Sequence, residues 1–66
     1  MTFKELLKEK DCTMARISRQ LSVSSEAVRG WAEGKHIPTL DKAVMIAKVL
    51  GVDLETVAKS ILGDVA

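Results

Sequence analysis

Apolar residues recur at helical spacing along the whole chain, and no stretch alternates apolar with polar as a half-buried strand would. The punctuation divides the pattern into five short segments. The first opens on Thr2-Phe3-Lys4-Glu5, a capping-box sequence in which hydroxyl and carboxylate satisfy backbone N–H groups reciprocally. Phe3, Leu6 and Leu7 share one face, and Lys10-Asp11-Cys12 is the expected break, giving a helix over about 3–10. Thr13 is the next N-cap, and Met14, Ile17, Ser18 and Leu21 line one face of a helix over about 14–20. Ser24 caps a third helix, 25–33, which Gly34 stops, with Pro38 beyond it barring continuation. Thr39 caps a fourth, 40–50, ended by Gly51. Its Leu40, Ala43, Val44, Met45, Ile46, Ala47, Val49 and Leu50 make it apolar nearly all round, which predicts a place at the centre of the core. Asp53 caps a fifth, 54–62, ended by Gly63. Leu54, Val57, Ala58, Ile61 and Leu62 form a clean stripe at i, i+3, i+4, i+7 and i+8.

The pattern therefore predicts an all-α fold of five helices, in one domain spanning 1–66. A chain of this length buries only about 60% of its unfolded surface, so its core is marginal. Cys12 is the single cysteine, which rules out an internal disulfide, and no close-set cysteine and histidine group offers zinc ligands. Stability must come from well-packed helices or a partner subunit. No signal peptide is visible and no segment approaches the roughly 20 apolar residues that span a bilayer, so a cytoplasmic protein with no membrane association is expected. An enzyme is not expected. There is no Ser-His-acid set with suitable spacing, no metal-ligand cluster and no glycine-rich phosphate loop, and no cofactor is implied.

Charge enters through its distribution. The net charge of +1 is low for a nucleic-acid binder, yet Arg16, Arg19 and Arg29, all the arginines, lie between residues 13 and 36 with Lys35 and His36. In the same stretch the second and third helices are joined by Leu21-Ser22-Val23-Ser24. That connection is too short for a long side-by-side hairpin and suits the tight turn of a helix-turn-helix. At about 100° per residue, the third helix has an inner arc of Ala27, Val28, Trp31 and Ala32 and an outer arc of Ser25, Glu26, Arg29, Gly30 and Glu33. The outer arc carries chemistry suited to a DNA groove. Arg29 has the fork to donate to guanine O6 and N7, Glu26 can accept from cytosine N4, and Ser25 can bond a base edge or a phosphate. Gly30 costs about 1 kcal/mol of helix propensity relative to Ala, which points to a packing or docking reason for it. Lys35 and His36 follow the helix and suit phosphate contacts, as do the N–H groups after Thr13.

Thr13 to Ser24, then Val28-Arg29-Gly30-Trp31-Ala32-Glu33-Gly34-Lys35-His36-Ile37-Pro38, and further on Leu40, Ile46-Ala47, Leu50-Gly51-Val52 and Leu54, resemble the lambda-repressor-like (Cro/Xre-type) helix-turn-helix family. The resemblance covers nearly the whole chain. It implies a five-helix DNA-binding domain, with helices two and three as the helix-turn-helix, usually acting as a dimer on a palindromic operator. By position it assigns base contacts to Ser25, Glu26, Arg29 and Gly30, and phosphate contacts to Met14 through its backbone, the Trp31 indole N–H, Lys35 and His36. Thr13, Arg16 and Ser24 flank these positions and join the expected phosphate contacts. Three residues depart from the family pattern: Met14 where Gln is usual, Ser18 where Ala is preferred, and Ser22 where Gly is preferred at a turn position of positive φ. Serine there should cost about 1 kcal/mol or more.

The expected function is thus a transcriptional regulator binding double-stranded DNA, with repression by promoter occlusion as the simplest mechanism. Leu54, Val57, Ala58, Ile61 and Leu62 are expected to form a homodimer interface, since a chain this short has little else to cover them. The alternative is a protein-interaction module of the same fold, an antirepressor or antitoxin-like protein with a regulatory protein partner. Blander roles also exist for single residues. Arg29 can pair with Glu33 at i, i+4, Glu26 can serve as a first-turn acid, Trp31 is first a core residue, and Cys12 suits a small buried hydrophobe better than a redox sensor.

Overall fold

A computed structural model describes residues 2–63, so the expected domain span of 1–66 runs past the described residues at both ends. Five α-helices follow in order: α1 (Phe3–Glu9), α2 (Met14–Leu21), α3 (Ser25–Glu33), α4 (Leu40–Leu50) and α5 (Leu54–Leu62), with no strand among the described residues. α1 stops one residue before its expected end and α2 runs one residue past it.

Each helix starts where a capping residue stands in extended backbone. The Thr2–Glu5 box is complete: the Thr2 N–H donates to Glu5 Oε1 (2.9 Å) and the Glu5 N–H to Thr2 Oγ1 (3.2 Å). Thr13, Ser24 and Asp53 accept from the backbone N–H groups of Arg16, Ala27 and Thr56. Thr39 departs from expectation. It occupies the N-cap position of α4, but its hydroxyl donates to the Asp41 carboxylate and caps no backbone N–H.

These caps carry a pH dependence. The backbone N–H and hydroxyl of Thr2 hold the Glu5 carboxyl below its ordinary range, and the Thr56 hydroxyl and N–H do the same for Asp53. A carboxyl lowered by folding contributes stability that is present above its unfolded pKa, about 4, and is lost as pH falls through the lower folded value. The melting temperature should therefore fall on acidification below about pH 4. A Glu5→Gln/Asp53→Asn variant, melted across the same range by circular dichroism, should show a flatter dependence than the wild type.

The helix ends share one device. After α1, α2, α3 and α4 a residue turns into the left-handed region: Asp11 (φ 53°), Ser22 (φ 55°), Gly34 (φ 76°) and Gly51 (φ 70°). The N–H of the next residue then reaches back to close the helix end, as in Cys12 to Leu7 O (2.9 Å), Val23 to Ser18 O (3.0 Å), Lys35 to Gly30 O (2.9 Å) and Val52 to Ala47 O (3.0 Å). Two of these positions are not glycine. Ser22 is the one with a preferred alternative, and Ser22→Gly should raise stability by about 1 kcal/mol, since Cβ strain there is of that order. For a domain this small, a gain of ~1 kcal/mol lifts the melting temperature by roughly 4–8 °C, which a thermal melt will register.

One face of each helix meets in a single core. α1 supplies Phe3, Leu6 and Leu7, α2 Ile17 and Leu21, α3 Val28 and Trp31, α4 Ile46, Ala47 and Leu50, and α5 Val57. α2 packs on α3 and α4, while α5 packs on α4 and α1. Two expectations are corrected here. α4 is not enclosed on all sides: it buries the stripe Ala43, Ile46, Ala47 and Leu50, while Leu40 is 72% exposed and Met45 is also exposed. Five short helices do not have enough neighbours to surround one of their number. Nor does the α5 stripe lie uncovered. Val57 is fully buried in the core of its own chain, so it is unavailable as a dimer contact, and Ala58 and Ile61 are half-buried.

Candidate nucleic-acid interface

α2 and α3 meet through Ser22-Val23-Ser24. Ser22 reverses the chain in its left-handed conformation, Val23 tucks against the core, and Ser24 returns to extended backbone (φ −72°, ψ 155°) and caps α3. The turn has a further brace that sequence reading missed. Lys42 of α4 donates from Nζ to the carbonyl oxygen of Leu21, the last residue of α2, at 3.3 Å. A cation there answers the unpaired carbonyl and the negative end of the helix dipole. The signal in the sequence was a lysine in the first turn of a mostly apolar helix, which does not say what it faces.

α3 is fixed from within. Val28 and Trp31 are buried in the core and Ala27 and Ala32 are half-buried. The opposite side exposes Ser25, Glu26, Arg29 and Glu33. Arg29 and Glu33 stand at i, i+4, yet Glu33 pairs instead with Lys35, at 3.3 Å. Among the described residues the ion pairs are that one and Lys59–Glu55, so Arg29 engages no acid.

A shallow polar hollow of about 250 Å³ runs along this side, lined by Glu26, Arg29, Gly30, Glu33, Lys35 and His36. It gathers most of the expected base-contact residues with the two expected phosphate contacts from the following loop. Gly30 is the correction among them. It is buried, and an added Cβ would lie 2.5 Å from Cδ2 of the His36 ring. The room that a glycine leaves is taken by this chain's own histidine, so Gly30 presents no open backbone to a base.

The remaining expected contacts lie outside the hollow. Thr13 and Arg16 are exposed at the start of α2, and Met14 is half-buried against the core. The Thr13 and Ser24 side chains already accept cap hydrogen bonds. Trp31 is buried, and no enclosed side-chain nitrogen or oxygen among the described residues is left without a partner. Burial pushes the Cys12 thiol up, only partly opposed by Arg16, which keeps it a protonated and weakly nucleophilic group.

A second surface is apolar. Ile37, Pro38, Leu40, Ala43, Leu54, Val57, Ala58, Ile61 and Leu62 line a groove of about 270 Å³. Ile37 is 65% exposed and Leu62 is 52% exposed, and Leu40 stands beside them. The α5 members are those expected from the helical stripe, whereas Ile37 and Leu40 come from the loop before α4 and its first residue, where no periodic pattern marks them. Among the described residues no helix is long and apolar enough to cross a membrane. Among the described residues no group of three or more His, Cys, Asp or Glu is placed to hold a metal ion.

Two core-anchored helices joined by a three-residue turn, the second showing a polar face with an unpaired arginine, define a helix-turn-helix DNA-binding domain. The chain belongs to the helix-turn-helix family of lambda-repressor-like (Cro/C1) type: residues 3–57 match its family model, described as Helix-turn-helix. Comparison with curated proteins and with solved structures gives no match. The family is one of DNA-binding regulators, and its model spans all of α1 to α4 and the first half of α5.

Proposed function

We propose that this protein is a sequence-specific regulator that binds a palindromic operator as a homodimer, with α3 in the major groove, and represses by occluding the promoter. The observation that carries the reading is the outer face of α3. Its arginine is exposed and, among the described residues, pairs with no acid, on a helix whose inner face is locked into the core. Arg29 would donate its fork to guanine O6 and N7, Glu26 would accept from cytosine N4, and Ser25 would bond a base edge or nearby phosphate. Phosphates would be met by the N–H groups at the start of α2 around Thr13 and Met14, by Arg16 and Ser24, by the Trp31 indole N–H, and by Lys35 and His36.

A net charge of +1 gives one module a small electrostatic attraction to DNA. Two modules joined rigidly remedy that, and the apolar groove is the surface that fits a second copy. It clusters exposed large hydrophobics that a solitary domain rarely shows together. Leu54 and Leu62, with Ile37 and Leu40, would form the seam over Ala58 and Ile61. Two α3 helices would then enter the groove roughly 34 Å apart or a multiple of that. Selection from random duplex DNA at low salt tests the reading: enrichment of a palindrome is expected. Binding without an enriched sequence would overturn it. That outcome would favour the second reading, a regulatory module docking another protein through the apolar groove, for which the acids Glu26 and Glu33 on α3 also speak.

A further inference from the structure

Gly30 and His36 are tied together twice. The backbone N–H groups of Lys35 and His36 both donate to the Gly30 carbonyl oxygen, at 2.9 and 3.3 Å. The His36 ring then folds back over the glycine itself. From the place a Cβ would occupy, the ring atoms Cδ2, Cγ and Nε2 lie at 2.5, 3.4 and 3.6 Å. A side chain at position 30 would push the imidazole aside, because contacts under 3.0 Å to a real Cβ essentially never occur and the ring is the part free to shift. The ring lies within the polar hollow that also presents Glu26 and Arg29. His36 therefore fills, from a loop, the place that a helix residue at 30 would have filled.

We infer that His36 is a specificity-determining residue of the DNA interface and that Gly30 is its positioning residue. This rests on the proposed function and changes one part of it: His36 moves from the phosphate contacts to the base-reading face. A loop histidine free to swing suits a phosphate, which asks only for a nearby donor. His36 is exposed, but its backbone is anchored to the Gly30 carbonyl and its ring rests against the recognition helix where no side chain intervenes, which sets the direction of approach. A set direction is what discrimination among base edges requires, and an imidazole offers a base edge one ring nitrogen, a donor or an acceptor according to its tautomer. It also explains why a helix accepts glycine in its middle at a cost of about 1 kcal/mol.

The experiment compares wild type, His36→Ala, Gly30→Ala and the double variant in selection from random duplex DNA, followed by titration of single-base operator variants. His36→Ala should lose about five- to tenfold discrimination at one symmetric base-pair position, the low end for a single good base contact. The preference at other positions should stay unchanged. Gly30→Ala should relax the same position, although it keeps the imidazole in the chain. Adding Gly30→Ala to His36→Ala should change the preference no further, because no ring remains to displace. The free protein supplies a readout that does not depend on DNA: His36→Ala should move the Gly30 Hα resonances by removing the ring current above them. His36→Ala weakening all sequences equally, with a shallower salt dependence, would make the residue a phosphate contact and overturn the inference. A Gly30→Ala variant that is folded by thermal melt and keeps the wild-type preference would also overturn it. If the wild type itself enriches no sequence, the proposed function fails and this role fails with it, which is a different result from either of the others.

Discussion

Arg29→Ala will weaken binding to the selected operator far more than to other DNA, and will relax the preference at one symmetric base pair. A good bidentate contact to guanine discriminates by about 1–3 kcal/mol. With one such contact in each half-site, a dimer loses about 2–6 kcal/mol, or roughly 30- to 10⁴-fold in affinity. Arg29 should exceed its neighbours for physical reasons. Lys35 already shares its charge with Glu33, although an exposed pair of this kind is weak. Ser25 offers one hydroxyl, and Glu26 carries a charge that the phosphates repel. Arg29 is planar, always charged and unpaired, and it is borne by a helix that Val28 and Trp31 anchor. Being exposed, it contributes little to folding, so the melting temperature should hardly move. Fluorescence anisotropy on the selected operator and on scrambled duplex, with Lys35→Ala beside it, makes the check. Lys35→Ala should lower affinity for both duplexes alike and reduce the salt slope by about 2, roughly 1 for each subunit. An Arg29→Ala loss of equal size on both duplexes would place Arg29 on the phosphate backbone instead.

Charging the apolar groove should have the other large effect. Leu40→Lys/Leu62→Lys places two cations on side chains that are 72% and 52% exposed, so the fold itself loses little. Facing a second copy of the same surface, the four lysines of a dimer would be desolvated and would repel one another. Sedimentation should show the wild type as a dimer and the variant as a monomer. Operator affinity should then fall by about 10²- to 10⁴-fold, the usual advantage of a linked second site. The added positive charge would by itself strengthen binding to DNA, so a loss cannot be credited to electrostatics. A variant that remains dimeric would move the interface to another face, and a monomeric wild type would remove the homodimer from the proposal.

The segmentation of this chain was open to reading because its determinants are local. Thr2, Thr13, Ser24 and Asp53 cap the N–H groups three residues ahead, and Gly34 and Gly51 turn the chain where a Cβ would be strained. Helical spacing separated the Val28 and Trp31 side of α3 from the Ser25, Glu26 and Arg29 side. The family motif from Thr13 to Pro38 then pointed to DNA, and residues 3–57 match that family. What the tertiary structure alone decided was the outcome of competition between distant or alternative partners. Thr39 can cap or bond Asp41, and Glu33 can take Arg29 or Lys35; each choice depends on geometry that spacing does not contain. Lys42 reaches Leu21 across 21 positions of sequence, and Val57 faces inward because α1 and α4 close over it. Gly30 is the sharpest instance. Its sequence context marks a gap on the recognition helix, but only the return of the loop shows that His36 fills it.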